Sequence, residues 1–191
     1  IVDLTNYLMF DLGLPFHAFD YDTIRGSKMT VRGARKGEDV TTLDGVKRSL
    51  PEGAIVIEDS ERLIDLAGIM GGLNSAISEK TKRIVLQAAE FDPLRIRETS
   101  RKLGHRTDAV SLFEKGIDRS KTLEALAKAH DIIKEIIHEA ELDQIVDIIS
   151  IPVQERRVKM RLSRYRRLIG NEVKKREAKN ILESLGAEVE T

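Results

Sequence analysis

The sequence predicts an α+β fold, and three observations carry that reading. Between residues 28 and 89, apolar and polar residues alternate in short runs bounded by Gly, Asp and Ser, which is the period of strands. From residue 92 onward the apolar residues recur at three- and four-residue steps, the period of helices. Strands first and helices later, without regular alternation, argue against a doubly wound sheet.

The elements follow in order. "KMTVRGA" (28–34) reads as a strand, and "TTLDGVKR" sets Asp44-Gly45 between short apolar runs, a hairpin signal. "AIVIED" (54–59) and "RLIDLAG" (62–68) read as two more strands. "RIVLQAA" (83–89) has the continuous apolar character of a buried strand. Asp92 then predicts a helix cap, Pro93 its first turn and Gly104 its exit. A longer helix is predicted after Ser120, with Leu126, Ala129, Ile133, Ile136, Ile137 and Ala140 on one apolar face. "QIVDIIS" (144–150) reads as a closing strand. Pro152 and the charged "VQERR" after it predict a boundary, giving domains at 1–151 and 152–191. Beyond it, "VKMRL" reads as a strand and 163–170 as a short capped helix. A second helix is predicted at about 174–185, with Ala178, Ile181, Leu182 and Leu185 inward and Gly186 at its exit. "AEVET" reads as the start of another strand. The chain opens on Ile1 inside a patterned segment, so a fragment of something longer is expected.

Composition narrows the function. With 4% aromatic residues and no Trp, the core must be mainly Ile, Leu, Val and Ala. No apolar run reaches the roughly 18 residues of a membrane-spanning helix, and no secretory signal is visible. The absence of Cys excludes disulfides and thiolate metal sites and fits a reducing compartment. Net charge is zero, yet residues 156–176 carry ten Lys/Arg against the single acid Glu172. That stretch is either a solvated helix face, the commoner case, or a phosphate-contacting surface.

The residues alone name no reaction. In "GLPFHAFD" (13–20), His17 sits between Phe16 and Phe19. It is either a buried structural side chain or a pocket residue, and the structural reading is the commoner one. His130 and His138 stand two helical turns apart, too far for an i, i+4 metal pair. "GIMGGLNS" (68–75) is glycine-rich without being a phosphate loop, and suits close backbone approach to a ligand or to another strand. "GHRTDA" (104–109) offers Thr107 and Asp108 as a turn or a pocket wall.

Taken together, five segments resemble one family. "VDLTNYLMFDLGLPFHAFD", "LAGIMGG", "AAEFDPLRIRETSRKLG", "RTDA...FEKGID" and "LSRYRRLIG...ILESLGAEVE" occur in the order and at the spacings of the β subunit of bacterial phenylalanyl-tRNA synthetases. The resemblance implies a layered β-β-α sandwich, an editing module, followed by a truncated small α/β domain. It implies a pocket that hydrolyses Tyr-tRNA(Phe) made in error, within a cytoplasmic α2β2 enzyme. The partners it implies are tRNA(Phe) and the synthetase α subunit, with no membrane. ATP and magnesium would serve the whole enzyme at a synthetic site in the other subunit, with no cofactor in this span. A catalytically degenerate RNA-binding module and a free-standing trans-editing hydrolase are the competing readings.

Carried over by position, the family's Thr-Asn pair is Thr5 and Asn6, its pocket histidine is His17 and its glycine wall begins at Gly71. The threonine and alanine after the helix are Thr107 and Ala109. The resemblance makes His17 the catalytic candidate, orienting the terminal adenosine or a water, and makes the others substrate-binding. Gln87 stands where the family usually has the Glu that accepts the tyrosine hydroxyl. Val110 and Leu112 replace a usual Ser and Arg, and Arg119 a usual Pro.

Overall fold

A computed structural model describes residues 1–152 and 157–190. Residues 153–156 of the predicted boundary, Arg156 of the basic stretch among them, and Thr191 of "AEVET" lie outside the described residues. The chain divides into two compact units, Ile1–Ser150 and Ile151–Thr191.

The first unit opens with helix α1 (Val2–Leu12), which the strand-seeking pattern does not anticipate. Strand β1 (Phe16–Asp20) follows, then β2 (Thr30–Gly33), β3 (Asp39–Thr41) and β4 (Lys47–Ser49). Next come β5 (Ile55–Glu58), β6 (Leu63–Leu66), the two-residue β7 (Met70–Gly71) and β8 (Ile84–Ala88). Three helices close the unit: α2 (Pro93–Leu103), α3 (Asp108–Phe113) and α4 (Thr122–Ile136). This is a mixed fold of helices and antiparallel sheets.

Strands β2, β5, β6 and β7 form a four-stranded antiparallel sheet in that order. β3 and β4 form the predicted hairpin, turning at Asp44-Gly45. Among the described residues β1 pairs with β8 alone, antiparallel, with His17 opposite Gln87. The first and the last strand of the unit therefore meet, which the chain order hides. β8 is half-buried throughout, not the fully buried strand its apolar run predicts, because a two-stranded ribbon leaves an edge beside each strand.

The core cluster draws on the four-stranded sheet, α2 and α3. Val56, Ile57, Ile64, Leu66, Ile96 and Val110 are essentially inaccessible there. Asp92 caps α2 as predicted, accepting from the backbone N–H groups of Leu94 and Arg95, and the helix ends at Gly104. A smaller cluster of Leu4, Leu8 and Ala129 ties α1 to α4, with the Lys128–Asp11 ion pair at 2.5 Å beside it.

Several expectations need correction. α4 stops at Ile136, so Ile137 and Ala140 lie past its end, and Ile136 is exposed. "QIVDIIS" forms no strand: Ile145, Val146, Ile148 and Ile149 are exposed and no described strand pairs with them. An alternating run without a partner edge gains no ladder bonds.

The second unit contains α5 (Leu162–Ile169) and α6 (Lys175–Ser184). α5 ends at Gly170 as predicted but has no side-chain cap. "VKMRL" is not a strand, for the same want of a partner, and neither are residues 187–190. Of the inward residues predicted on the second helix only Ala178 is buried, while Ile181 and Leu185 are exposed.

Candidate functional site

Strand alternation answers why a histidine stands between two phenylalanines. On β1, His17 and Phe19 share one face, and their rings meet edge to face with centroids 4.4 Å apart. Phe16 packs with the α1–α4 cluster. Opposite residues of an antiparallel pair share a face, so Gln87 stands beside His17.

The second wall comes from β6 and β7. Gly68 turns the chain between them in the left-handed region (φ 71°), where Phe91, Ile96 and Phe113 leave no room for a side chain. Gly71 then meets the imidazole. A Cβ built there would lie 2.4 Å from His17 Cε1 and 2.8 Å from Nε2. Glycine is required so that the ring can lie against the strand.

These walls enclose a cavity of ≈ 80 Å³. His17, Gly71, Gln87 and Ala109 all line it, so four of the predicted residues converge from four distant points in the chain. Phe91 and Phe113, tilted together at 5.2 Å, supply apolar wall. The volume suits part of one side chain, below the usual range of ligand pockets, so a larger ligand would remain at the mouth.

Three predicted residues stand elsewhere. Thr5 and Asn6 lie on α1, away from the cavity lining; the Thr5 hydroxyl donates to the Val2 carbonyl at 2.8 Å, and Asn6 is exposed. Thr107 is the N-cap of α3, accepting from the Val110 N–H at 3.2 Å. Its hydroxyl donates to the Ile69 carbonyl at 3.1 Å. It therefore clamps α3 to the β6–β7 turn and sets Ala109 and Phe113 against the cavity without lining it.

Electrostatics separate the site from the rest of the core. Desolvation lowers the His17 pKa to about 4, so the imidazole is neutral at pH 7. Its Nε2 is buried and has no hydrogen-bond partner among the described residues. Asp65, on β6, also lines the cavity and is 3% exposed. Desolvation by burial pushes its carboxyl well above the usual range. Sequence reasoning missed Asp65. The available signal was one acid inside the apolar run "LIDLA", where Ile64, Leu66 and Ala67 are all buried.

A second hollow, ≈ 470 Å³, is lined by Arg97, Arg101, Arg106, Glu114 and Lys115 on and beside α2 and α3. Among the described residues, Arg106 is the one cation of this hollow with an ion pair, to Glu114 at 2.7 Å. Among the described residues no cluster of three His, Asp or Glu side chains is placed to hold a metal. No described helix is long and apolar enough to cross a membrane.

Comparison with known proteins gives a consistent picture. The B3/4 domain family matches residues 1–138. The phenylalanine–tRNA ligase beta subunit of Protochlamydia amoebophila is 42% identical over 186 residues, 97% of this chain and 23% of that protein. That of Carboxydothermus hydrogenoformans is 41% identical over 189 residues, 99% of this chain and 24% of that protein. The chain thus spans about a quarter of the length of the curated relatives it matches. Among solved structures, an N-terminal fragment of the phenylalanyl-tRNA synthetase beta-subunit from Pyrococcus horikoshii aligns over 100% of this chain and 56% of that one. Its identity is 15% and its TM-score 0.44, too loose a likeness to carry an argument.

Proposed function

The chain belongs to the B3/4 domain family and is homologous to phenylalanine–tRNA ligase beta subunits, and from that premise we propose that its cavity hydrolyses the ester of wrongly charged Tyr-tRNA(Phe). The observation that carries the reading is the convergence of His17, Gly71, Gln87 and Ala109 on one cavity. In this reading, residues 1–151 form the layered β-β-α editing module and 152–191 open a second, small α/β domain. The chain then works inside a cytoplasmic α2β2 synthetase with tRNA(Phe) and the α subunit. ATP and magnesium act at that enzyme's synthetic site, and no step below passes through them.

The chemistry is simple. A water oxygen attacks the ester carbonyl carbon, the bond to the ribose oxygen breaks, and the water's proton ends on that oxygen. An aminoacyl ester is already activated, so positioning supplies most of what is needed. His17, neutral and desolvated, orients and polarises the water more than it takes its proton, because a base of pKa about 4 is weak at pH 7. Selection is harder than hydrolysis. An apolar pocket rejects an added hydroxyl only about a hundredfold, whereas a site that demands the hydroxyl penalises its absence by leaving buried groups unpaired. The side-chain carbonyl of Gln87 offers a neutral acceptor for it. Thr5 and Asn6 join this reading only at the RNA end of the substrate, since they stand outside the cavity.

The competing reading is a module that docks RNA without catalysis. The basic hollow beside α2 and α3 favours it. Deacylation of Tyr-tRNA(Phe) by this chain separates the two. Hydrolysis well above the rate in buffer is expected, and the buffer rate would leave docking as the function.

A further inference from the structure

Asp65 and Gly71 stand directly opposite each other across β6 and β7. Their side-chain directions therefore share one face, with Cβ positions about 5 Å apart. The Gly71 direction is occupied by the Cε1–Nε2 edge of His17. Asp65 thus stands one strand away from the imidazole, on the same cavity, with no hydrogen bond between them. Of the three polar side chains on the cavity, Asp65 is the most deeply buried, while His17 and Gln87 are half-buried. A tRNA ester cannot enter so small a space, so an inserted aromatic side chain arrives with its far end deepest. We propose that Asp65 is a specificity-determining residue that hydrogen-bonds the distal hydroxyl of the bound aminoacyl side chain.

The inference rests on the hydrolase reading above and names a residue that reading does not use. The chemistry is complementary. Burial raises the Asp65 pKa and so favours its protonated form, whose O–H donates. Gln87 offers a carbonyl that accepts. A phenol does both: its oxygen takes the Asp65 proton donor while its O–H reaches Gln87. A phenylalanine ring leaves both groups buried and unpaired.

The test compares Tyr-tRNA and Phe-tRNA deacylation by the parent chain, Asp65→Leu and Asp65→Asn. Leucine has a similar size and removes both hydrogen-bonding functions; asparagine keeps a donor and an acceptor. Asp65→Leu is expected to slow Tyr-tRNA hydrolysis on the order of tenfold or more while Phe-tRNA hydrolysis rises, since its ring no longer strands a buried carboxyl. Asp65→Asn is expected to retain most of the preference. An unchanged Tyr/Phe ratio in Asp65→Leu, or an equal fall for both substrates, overturns the assignment. If the parent hydrolyses neither ester, the hydrolase reading fails by itself. Calorimetric binding of tyrosinol against phenylalaninol then decides the role of Asp65. A tyrosinol preference that Asp65→Leu abolishes upholds it, and a preference that is absent or survives in Asp65→Leu overturns it.

Discussion

Two buried polar regions of the first unit differ in one respect. At the corner formed by residues 20–27, 59–62 and 72–81, Asp20, Asp59 and Ser75 have hydrogen-bond partners, although among the described residues Arg62 Nε and Asn74 Oδ1 lack them. Asp59 accepts from the backbone N–H groups of Arg25, Glu61 and Arg62 at 2.8–3.1 Å. Asp20 accepts from the Asp22 N–H at 3.0 Å and the Thr81 hydroxyl at 2.5 Å. Ser75 donates to the Ile64 carbonyl at 2.8 Å. At the cavity, a few residues away along β6, His17 Nε2 is buried without a partner and burial raises the Asp65 pKa. Asp59 is held by three backbone donors, whereas Asp65 faces a space.

Opposite pH behaviour offers the largest expected effect on that comparison. Burial would raise the Asp59 pKa, but the N–H groups of Glu61, Arg25 and Arg62 outweigh it and hold the carboxyl below its ordinary value. Its contribution to stability is therefore present above the unfolded pKa near 3.8 and is lost as pH falls through the lower folded value. For Asp65 the folded value is raised, so stability is full below about 3.8 and declines as pH rises from there toward the folded pKa. Asp59→Asn should cost about 2–3 kcal/mol at pH 7 and less at pH 3. Asp65→Asn should be neutral or stabilising by about 1 kcal/mol at pH 7. Urea denaturation at the two pH values measures both, and a common sign at pH 7 would erase the distinction.

A smaller effect sharpens the cavity side. Gln87→Glu places a charge-capable acceptor opposite His17. The ratio of Tyr-tRNA to Phe-tRNA hydrolysis should rise, by roughly tenfold, because hydrogen bonds to charged acceptors are the stronger ones. An unchanged ratio would remove residue 87 from hydroxyl recognition.

Local chemistry was legible where it acts alone. Asp92, Pro93 and Gly104 mark α2 to the residue, and Asp44-Gly45 marks the hairpin, because caps and turns are satisfied within a few residues of chain. "QIVDIIS" and "VKMRL" misled because a strand needs an edge, and no local pattern reports whether one exists. The second unit repeats the lesson: Ala178, Ile181 and Leu185 have the same helical spacing, yet only Ala178 is covered. At the site, His17 alone read as a structural residue; its place beside Gly71 and Gln87 depends on the pairing of β1 with β8, a long-range fact. The family resemblance supplied that grouping. It did not supply Asp65, which is set apart by what surrounds it, and Thr107, which it names, stands as the cap of α3 outside the cavity lining.

The most direct test is single-turnover deacylation of Tyr-tRNA(Phe) by the parent chain and by His17→Ala, with filter binding of the same tRNA alongside. Removing the imidazole should slow hydrolysis on the order of a hundredfold while tRNA binding changes by no more than a few fold. Equal losses in hydrolysis and binding, or undiminished hydrolysis, would contradict the assignment of chemistry to this cavity.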